Sequence, residues 1–279
     1  MLEIKEISYG YRHGFNVFDN FSLNIKEGGV YGLLGKNGTG KSTLLYLIMG
    51  LLRPQKGCVH YNGTDTTLRT PDIQQDMFIV PEEYNLPSIS LSKYIKVMKP
   101  FYPRFSDKLL EECLTGFDMN TDLNLGALSM GQKKKIYMCM ALATNTRLLV
   151  MDEPTNGLDI PSKSQFRKVV AKGMTDDKTV IISTHQVRDV ELLLDHLAII
   201  DRNRVLLNAS MPAIGKRLQF IDTDRNSIPS NAIYTEQVLG GYSCIVPNSG
   251  ENETPVNLEL LFNALLTEGD AIRKQVNEE

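Results

Sequence analysis

Nine residues, Gly35-Lys36-Asn37-Gly38-Thr39-Gly40-Lys41-Ser42-Thr43, restrict this chain more than any other stretch. They satisfy the phosphate-loop pattern G-x-x-x-x-G-K-[ST], with Gly35, Gly40, Lys41 and Ser42 in the fixed places. The pattern recognises an anion. Its glycines let successive backbone N–H groups, those of Asn37, Gly38, Thr39 and Thr43 among them, turn onto one phosphate, and a following helix adds the positive end of its dipole. Lys41 is placed to reach the β- and γ-phosphates, and the Ser42 hydroxyl to help hold Mg²⁺. Both flanks suit the pattern. Residues 29–34 (Gly-Val-Tyr-Gly-Leu-Leu) read as a short buried strand, and residues 44–49 as an apolar helix ending at Gly50. A nucleoside triphosphate is the expected ligand.

Around this loop the chain reads as an α/β domain. Residues 2–8 and 22–26 alternate apolar with polar, as antiparallel strands beside the site do. Between them, Tyr9-Gly10-Tyr11-Arg12-His13-Gly14-Phe15 reads as an aromatic loop. Tyr11, with Tyr9 second, is the candidate to stack on a base, unless these rings pack the sheet. Met77-Phe78-Ile79-Val80 is strand-like and ends at Pro81, with Glu82-Glu83 after it. Residues 84–127 change character: 91–98 and 108–114 have helical spacing, which predicts a helical insertion. Ser129 is placed to cap a helix running to Ala143. Buried-strand runs follow at 147–151 and 179–184, the first ending in Asp152-Glu153 and the second in His185, with Thr155-Asn156-Gly157-Leu158-Asp159 a tight connection between them. Unbroken apolar strands alternating with helices predict a mostly parallel sheet covered on both faces. The expected division is 1–203 for the nucleotide-binding domain, with an insertion at about 84–130, and 204–279 for a small α+β appendage ending in a polar tail.

Charge is close to balanced, 30 basic against 33 acidic residues among 279, so no basic face for nucleic acid is expected. No apolar run approaches the ~18 residues of a membrane span, and the amino terminus lacks a signal-peptide core. The scattered cysteines, Cys58, Cys113, Cys139 and Cys244, read as reduced thiols of a cytoplasmic protein.

The phosphate loop, Leu128-Ser129-Met130-Gly131-Gln132, Leu148 to Glu153, Gly157-Leu158-Asp159 and His185 together resemble the nucleotide-binding subunits of ABC (ATP-binding cassette) transporters, in order and spacing, over about residues 1–210. The resemblance implies an ATPase that powers transport, with ATP and Mg²⁺ as cofactors. Asp152 and Glu82 would join Ser42 at the metal, Glu153 would polarise the attacking water, and His185 would hold the water and the γ-phosphate. Ser129, Gly131 and Gln132 would close on ATP held by a second, head-to-tail subunit, expected to be an identical chain, with Asp159 connecting the two sites. A separate transmembrane permease is implied, placing the subunit on the cytoplasmic face of the membrane. Export is favoured, because residues 101–105 resemble drug- and antibiotic-export ATPases. The alternative is a soluble ATPase of the same type, acting in assembly or cofactor maturation. Two positions depart from the family: Glu82 stands where glutamine is usual, and Met130 where glycine is commoner. Lys133-Lys134-Lys135 read as a solvated helix face.

Overall fold

The computed structural model describes residues 1–12, 15–225, 227–248 and 254–277. Three sheets build it. Strands β1 (Leu2–Arg12), β2 (Phe15–Ile25), β4 (Lys56–Tyr61) and β5 (Thr64–Asp65) form an antiparallel sheet in the order β2-β1-β4-β5. The central sheet takes β3 (Gly29–Leu34), β6 (Met77–Val80), β7 (Leu148–Asp152), β8 (Thr179–Thr184), β9 (His196–Asp201) and β10 (Arg204–Ser210) in the order β10-β9-β3-β8-β7-β6. Its pairs are parallel except at the β10 edge. A third sheet, β11 (Leu218–Asp224), β13 (Gly241–Pro247) and β12 (Tyr234–Val238), is antiparallel.

The helices are α1 (Lys41–Ile48), α2 (Pro71–Asp76), α3 (Leu91–Met98), α4 (Asp107–Gly116), α5 (Met130–Ala143), α6 (Ile160–Lys172), α7 (Met211–Arg217), α8 (Leu258–Thr267) and α9 (Gly269–Asn277). Successive residues of the central strands enter opposite cores. Val30, Leu149, Met151, Val180 and Ile182 pack with α4, α5 and α6 on one face. Tyr31, Leu33, Leu148, Val150 and Ile181 pack with α1 and the antiparallel sheet on the other. Neither face meets water, which is why these strands carry no polar alternation. Arg104 pairs with Asp76 at the base of the insertion, where Tyr61 also donates to Asp76 at 2.5 Å.

Three expectations need correction. Residues 9–12 and 15 continue β1 and β2 rather than forming a loop, with Tyr9 turned into the core and Tyr11 outward; His13 and Gly14 lie outside the described residues. The boundary after 203 falls inside the β9–β10 hairpin, where Val205 pairs with Ile200, because β10 is an edge strand of the central sheet. The polar tail is largely the helix α9, anchored by the buried Ile272.

Candidate nucleotide site

The site forms at the carboxyl ends of four neighbouring strands, β3, β8, β7 and β6, the edge at which open α/β sheets bind ligands. β3 delivers the phosphate loop. Gly40 has φ +97° and caps α1 in the left-handed region, and a Cβ there would lie 2.6 Å from Val17 Cγ1. At Gly35 a Cβ would lie 2.6 Å from the Ile200 carbonyl. Only glycine fits either place. Thr39 Oγ1 donates to the Lys36 carbonyl at 2.9 Å, tightening the turn. Lys41 is buried and its Nζ donates to the carbonyls of Gly35 and Lys36 at 2.8 and 3.2 Å. Burial pushes this ammonium below the ordinary lysine range, while Glu153, Asp152 and Glu82 oppose the shift.

A cleft of about 610 Å³ is lined by Tyr11, Asn37, Gly38, Lys41, Ser42, Thr43, Glu82, Glu153, Asn156 and His185, with Val17 and Gly40 completing it. Tyr11, 61% exposed, stands at its rim with its hydroxyl 3.1 Å from Thr43 Oγ1 and its ring edge-on to Tyr9. β7 ends in the two carboxylates. Asp152 is 1% exposed; its Oδ1 accepts from Ser183 Oγ, and its Oδ2 has no hydrogen-bond partner. A buried carboxylate oxygen without a donor is costly, and a hard cation satisfies it. Ser42 and Glu82 line the cleft, and with the buried Asp152 the expected donors are all oxygen, the kind Mg²⁺ takes.

Glu153 sits at φ +45°, a left-handed conformation costing a non-glycine residue about 1–3 kcal/mol. Its carboxylate accepts from Thr184 Oγ1 at 3.1 Å and from the His185 backbone N–H at 3.1 Å. His185 Nδ1 lies 2.7 Å from Glu153 Oε1. A carboxylate only accepts here, so the imidazole proton on this side is on Nδ1. Glu82, on the loop after β6, accepts from Asn156 Nδ2 at 3.0 Å.

Seven expected residues do not line this cleft: Gly35, Thr39 and Asp152, which belong to its supporting loop and strand, and Ser129, Gly131, Gln132 and Asp159 on other elements. Ser129 and Gln132 make a capping box at the start of α5, with Gln132 N–H donating to Ser129 Oγ and Ser129 N–H to Gln132 Oε1. Gly131 follows the exposed Met130. Asp159 caps α6, accepting from the Ser162 N–H at 2.9 Å, and hydrogen bonding from the Ser162 side chain, then from its backbone, holds the carboxyl below the usual range. The solvated-face reading of residues 133–135 fails at Lys134, which is 7% exposed and donates to the carbonyls of Glu153 and Asn156. Asn156 was legible only as part of a turn, and Ser183 and Thr184 only as strand residues. Their roles come from side chains that meet across neighbouring strands.

A phosphate loop at the end of a buried parallel strand, met by two carboxylates and a histidine from the strands beside it, defines a phosphate-loop nucleoside-triphosphate hydrolase. A family model described as ABC transporter matches residues 18–156. The bacitracin transport ATP-binding protein BcrA of Bacillus licheniformis is 31% identical over 75% of this chain and 71% of its own. The ABC transporter ATP-binding protein YtrB of Bacillus subtilis (strain 168) is 24% identical over 95% of this chain and 97% of its own. Among solved structures, a dimeric structure of MJ0796, a bacterial ABC transporter cassette, superposes with a TM-score of 0.66 at 25% identity, covering 75% of this chain and 98% of that one. The chain belongs to the ABC transporter family and is one of its ATP-binding, ATP-hydrolysing subunits.

Proposed function

We propose that two copies of this chain close head to tail around two molecules of ATP with Mg²⁺, and that closure drives a separate permease from the cytoplasmic face of the membrane. The observation that carries this reading is the position of the Ser129–Gln132 segment. Its helix terminus is exposed, and it lies outside the cleft holding Lys41 and Glu153. An anion at that terminus therefore has to be carried by another molecule. The dimeric structure reported for MJ0796 supports the same assembly.

Within each cleft, Asn37, Gly38, Thr39, Gly40 and Thr43 cradle the phosphates, Lys41 neutralises them, and Tyr11 offers its ring to the base. Ser42, Asp152 and Glu82 hold Mg²⁺, which supplies charge neutralisation on the phosphate oxygens. Glu153 polarises water, a contribution of ~10²–10⁴-fold for such groups. His185 fixes Glu153 and reaches toward the γ-phosphate.

No helix among the described residues is long and apolar enough to cross a membrane, so the permease is a separate chain in this reading. Its docking place is the groove of about 650 Å³ between β6, α1 and the insertion, lined by Met49, Leu51, Phe78, Tyr94, Phe101 and Tyr102. Export is the direction we favour, on the sequence of residues 101–105. Glu153→Gln tests the assembly. The variant is expected to bind ATP, stall hydrolysis and elute as a dimer when ATP is present. Hydrolysis at the parental rate, or a monomer saturated with ATP, would overturn the proposal.

A further inference from the structure

Lys134 is buried under the cleft floor while its neighbours Lys133 and Lys135 are only half-buried. We infer that Lys134 is a positioning residue for ATP hydrolysis, clamping the backbone turn that aims Glu153. The inference rests on the reading of Glu153 as the residue that polarises water.

The turn needs a clamp. Glu153 is held at a positive φ that a side chain disfavours, and its N–H is already tied to the Ser183 carbonyl at 3.0 Å. On the other side, the Glu153 carbonyl accepts from Lys134 Nζ at 2.8 Å and from the Asn156 N–H at 3.2 Å. The same ammonium donates to the Asn156 carbonyl at 2.9 Å. Two carbonyls three residues apart thus share one cation, and the turn cannot relax without breaking both bonds. Asn156 Nδ2 in turn donates to Glu82 at 3.0 Å. Hydrogen bonds therefore run from Glu82 through Asn156 and Lys134 to Glu153, joining the loop after β6 to the end of β7 through the start of α5.

Charge supports the placement. Burial weakens the Lys134 ammonium, but Glu82, Glu153 and Asp152 all sustain it. The Glu82 carboxylate sustains Lys134 as it does Lys41, and Lys134 faces a pocket that Glu82 and Asn156 also line. Lys134 does not line the cleft of Lys41 and Glu153, so toward that cleft it acts through Glu153 and the turn.

The test compares steady-state ATP hydrolysis of the full chain with that of Lys134→Met, Lys134→Gln, Glu153→Gln and the Lys134→Met/Glu153→Gln pair, with melting curves alongside. Lys134→Met is expected to lower kcat by about tenfold or more, as small misplacements of catalytic groups do, while KM for ATP stays within about threefold. Lys134→Gln keeps one short donor and is expected to fall between the two. In the Glu153→Gln background the loss of Lys134 should cost nothing further, because both act at one step. A Lys134→Met enzyme with parental kcat, or one whose loss is wholly in KM, would overturn the inference. So would full additivity in the pair. Should Lys134→Met fail to melt cooperatively, Lys134→Gln decides: a parental kcat there would sink the proposal equally. Glu153→Gln separates the two readings. If it hydrolyses at the parental rate, the role of Glu153 fails; if it stalls while Lys134→Met does not, only the clamp fails.

Discussion

Lys41, Lys134 and Lys178 are buried, and each rests its ammonium on backbone carbonyls. What separates them is the company they keep. Lys41 and Lys134 face the carboxylates of the cleft. Lys178 donates to the Gly173 carbonyl at 2.8 Å beside Cys113, and burial pushes it from an ordinary 10.5 down to about 8. Between those values the unfolded chain still holds a proton that the folded chain has released, so this group's contribution to stability rises with pH. Below about 8 the full cost of burying the charge is present. Cys113, whose thiol burial pushes up to about 12, works in the opposite sense at higher pH. The measurement is therefore a difference: chemical denaturation of wild type against Lys178→Met at several pH values. Wild type is expected to gain on the variant between about pH 8 and pH 10.5, by up to about 3 kcal/mol. A difference independent of pH would show that Lys178 titrates normally.

At the scale of elements, the strand β3, its loop and α1 act as one part. The strand is buried on both faces, the loop turns on glycines, and the helix starts at Lys41. Gly40→Ala should damage this part twice, through φ +97° and through the approach to Val17 and Phe18. We expect ATP affinity to fall about tenfold or more, the equivalent of about 1.4 kcal/mol, with a lowered melting temperature. Titration with a fluorescent ATP analogue would detect retained affinity and refute the constraint. Other elements show how legibility follows buried pattern. α3 spans the residues expected for it, because Leu91, Tyr94, Ile95 and Met98 recur at helical spacing and Ser90 accepts from the Lys93 N–H at its start. α7 and α9 were missed for the converse reason. Seven residues with Ile214 on the buried side, or nine with Ile272 and Val276, give too little periodicity to rise above a polar segment.

At the scale of the molecule, the central sheet divides two cores, and the region after Ser210 joins one of them. Leu258, Leu261 and Ala264 of α8 pack in the same cluster as Leu34 of β3 and Leu149 of β7. Phe262 of α8 lines a pocket with Gly35, Asn37 and His185, so α8 lies beside the phosphate loop. On the far side, the groove bordered by Phe101, 64% exposed, opens next to β6, which leads into Glu82. Phe101→Asp should therefore uncouple transport without harming the subunit. Its own ATP hydrolysis and melting are expected to stay near parental, since exposed substitutions usually cost within about 0.5 kcal/mol, while co-purification with the permease is lost. Unchanged co-purification would remove the groove from the interface.

Local pattern in the sequence determined the phosphate loop, the buried strands β3, β7 and β8 and the helices α3 and α5, while the carboxylates and the histidine were picked out through the family resemblance. Glycines at Gly35 and Gly40, a capping serine at Ser129 and apolar runs at β7 and β8 declare their structure through backbone geometry and burial, which neighbouring residues settle among themselves. Tertiary structure alone decided what meets across the strands. It brought Thr184 and His185 onto Glu153, left Asp152 Oδ2 without a donor, and took β10 into the central sheet. It also sank Lys134, from a run of three lysines, beneath the turn of Glu153 and Asn156. A lysine's burial and partners depend on which helix face meets which loop, and that choice is made by packing between segments distant in the chain.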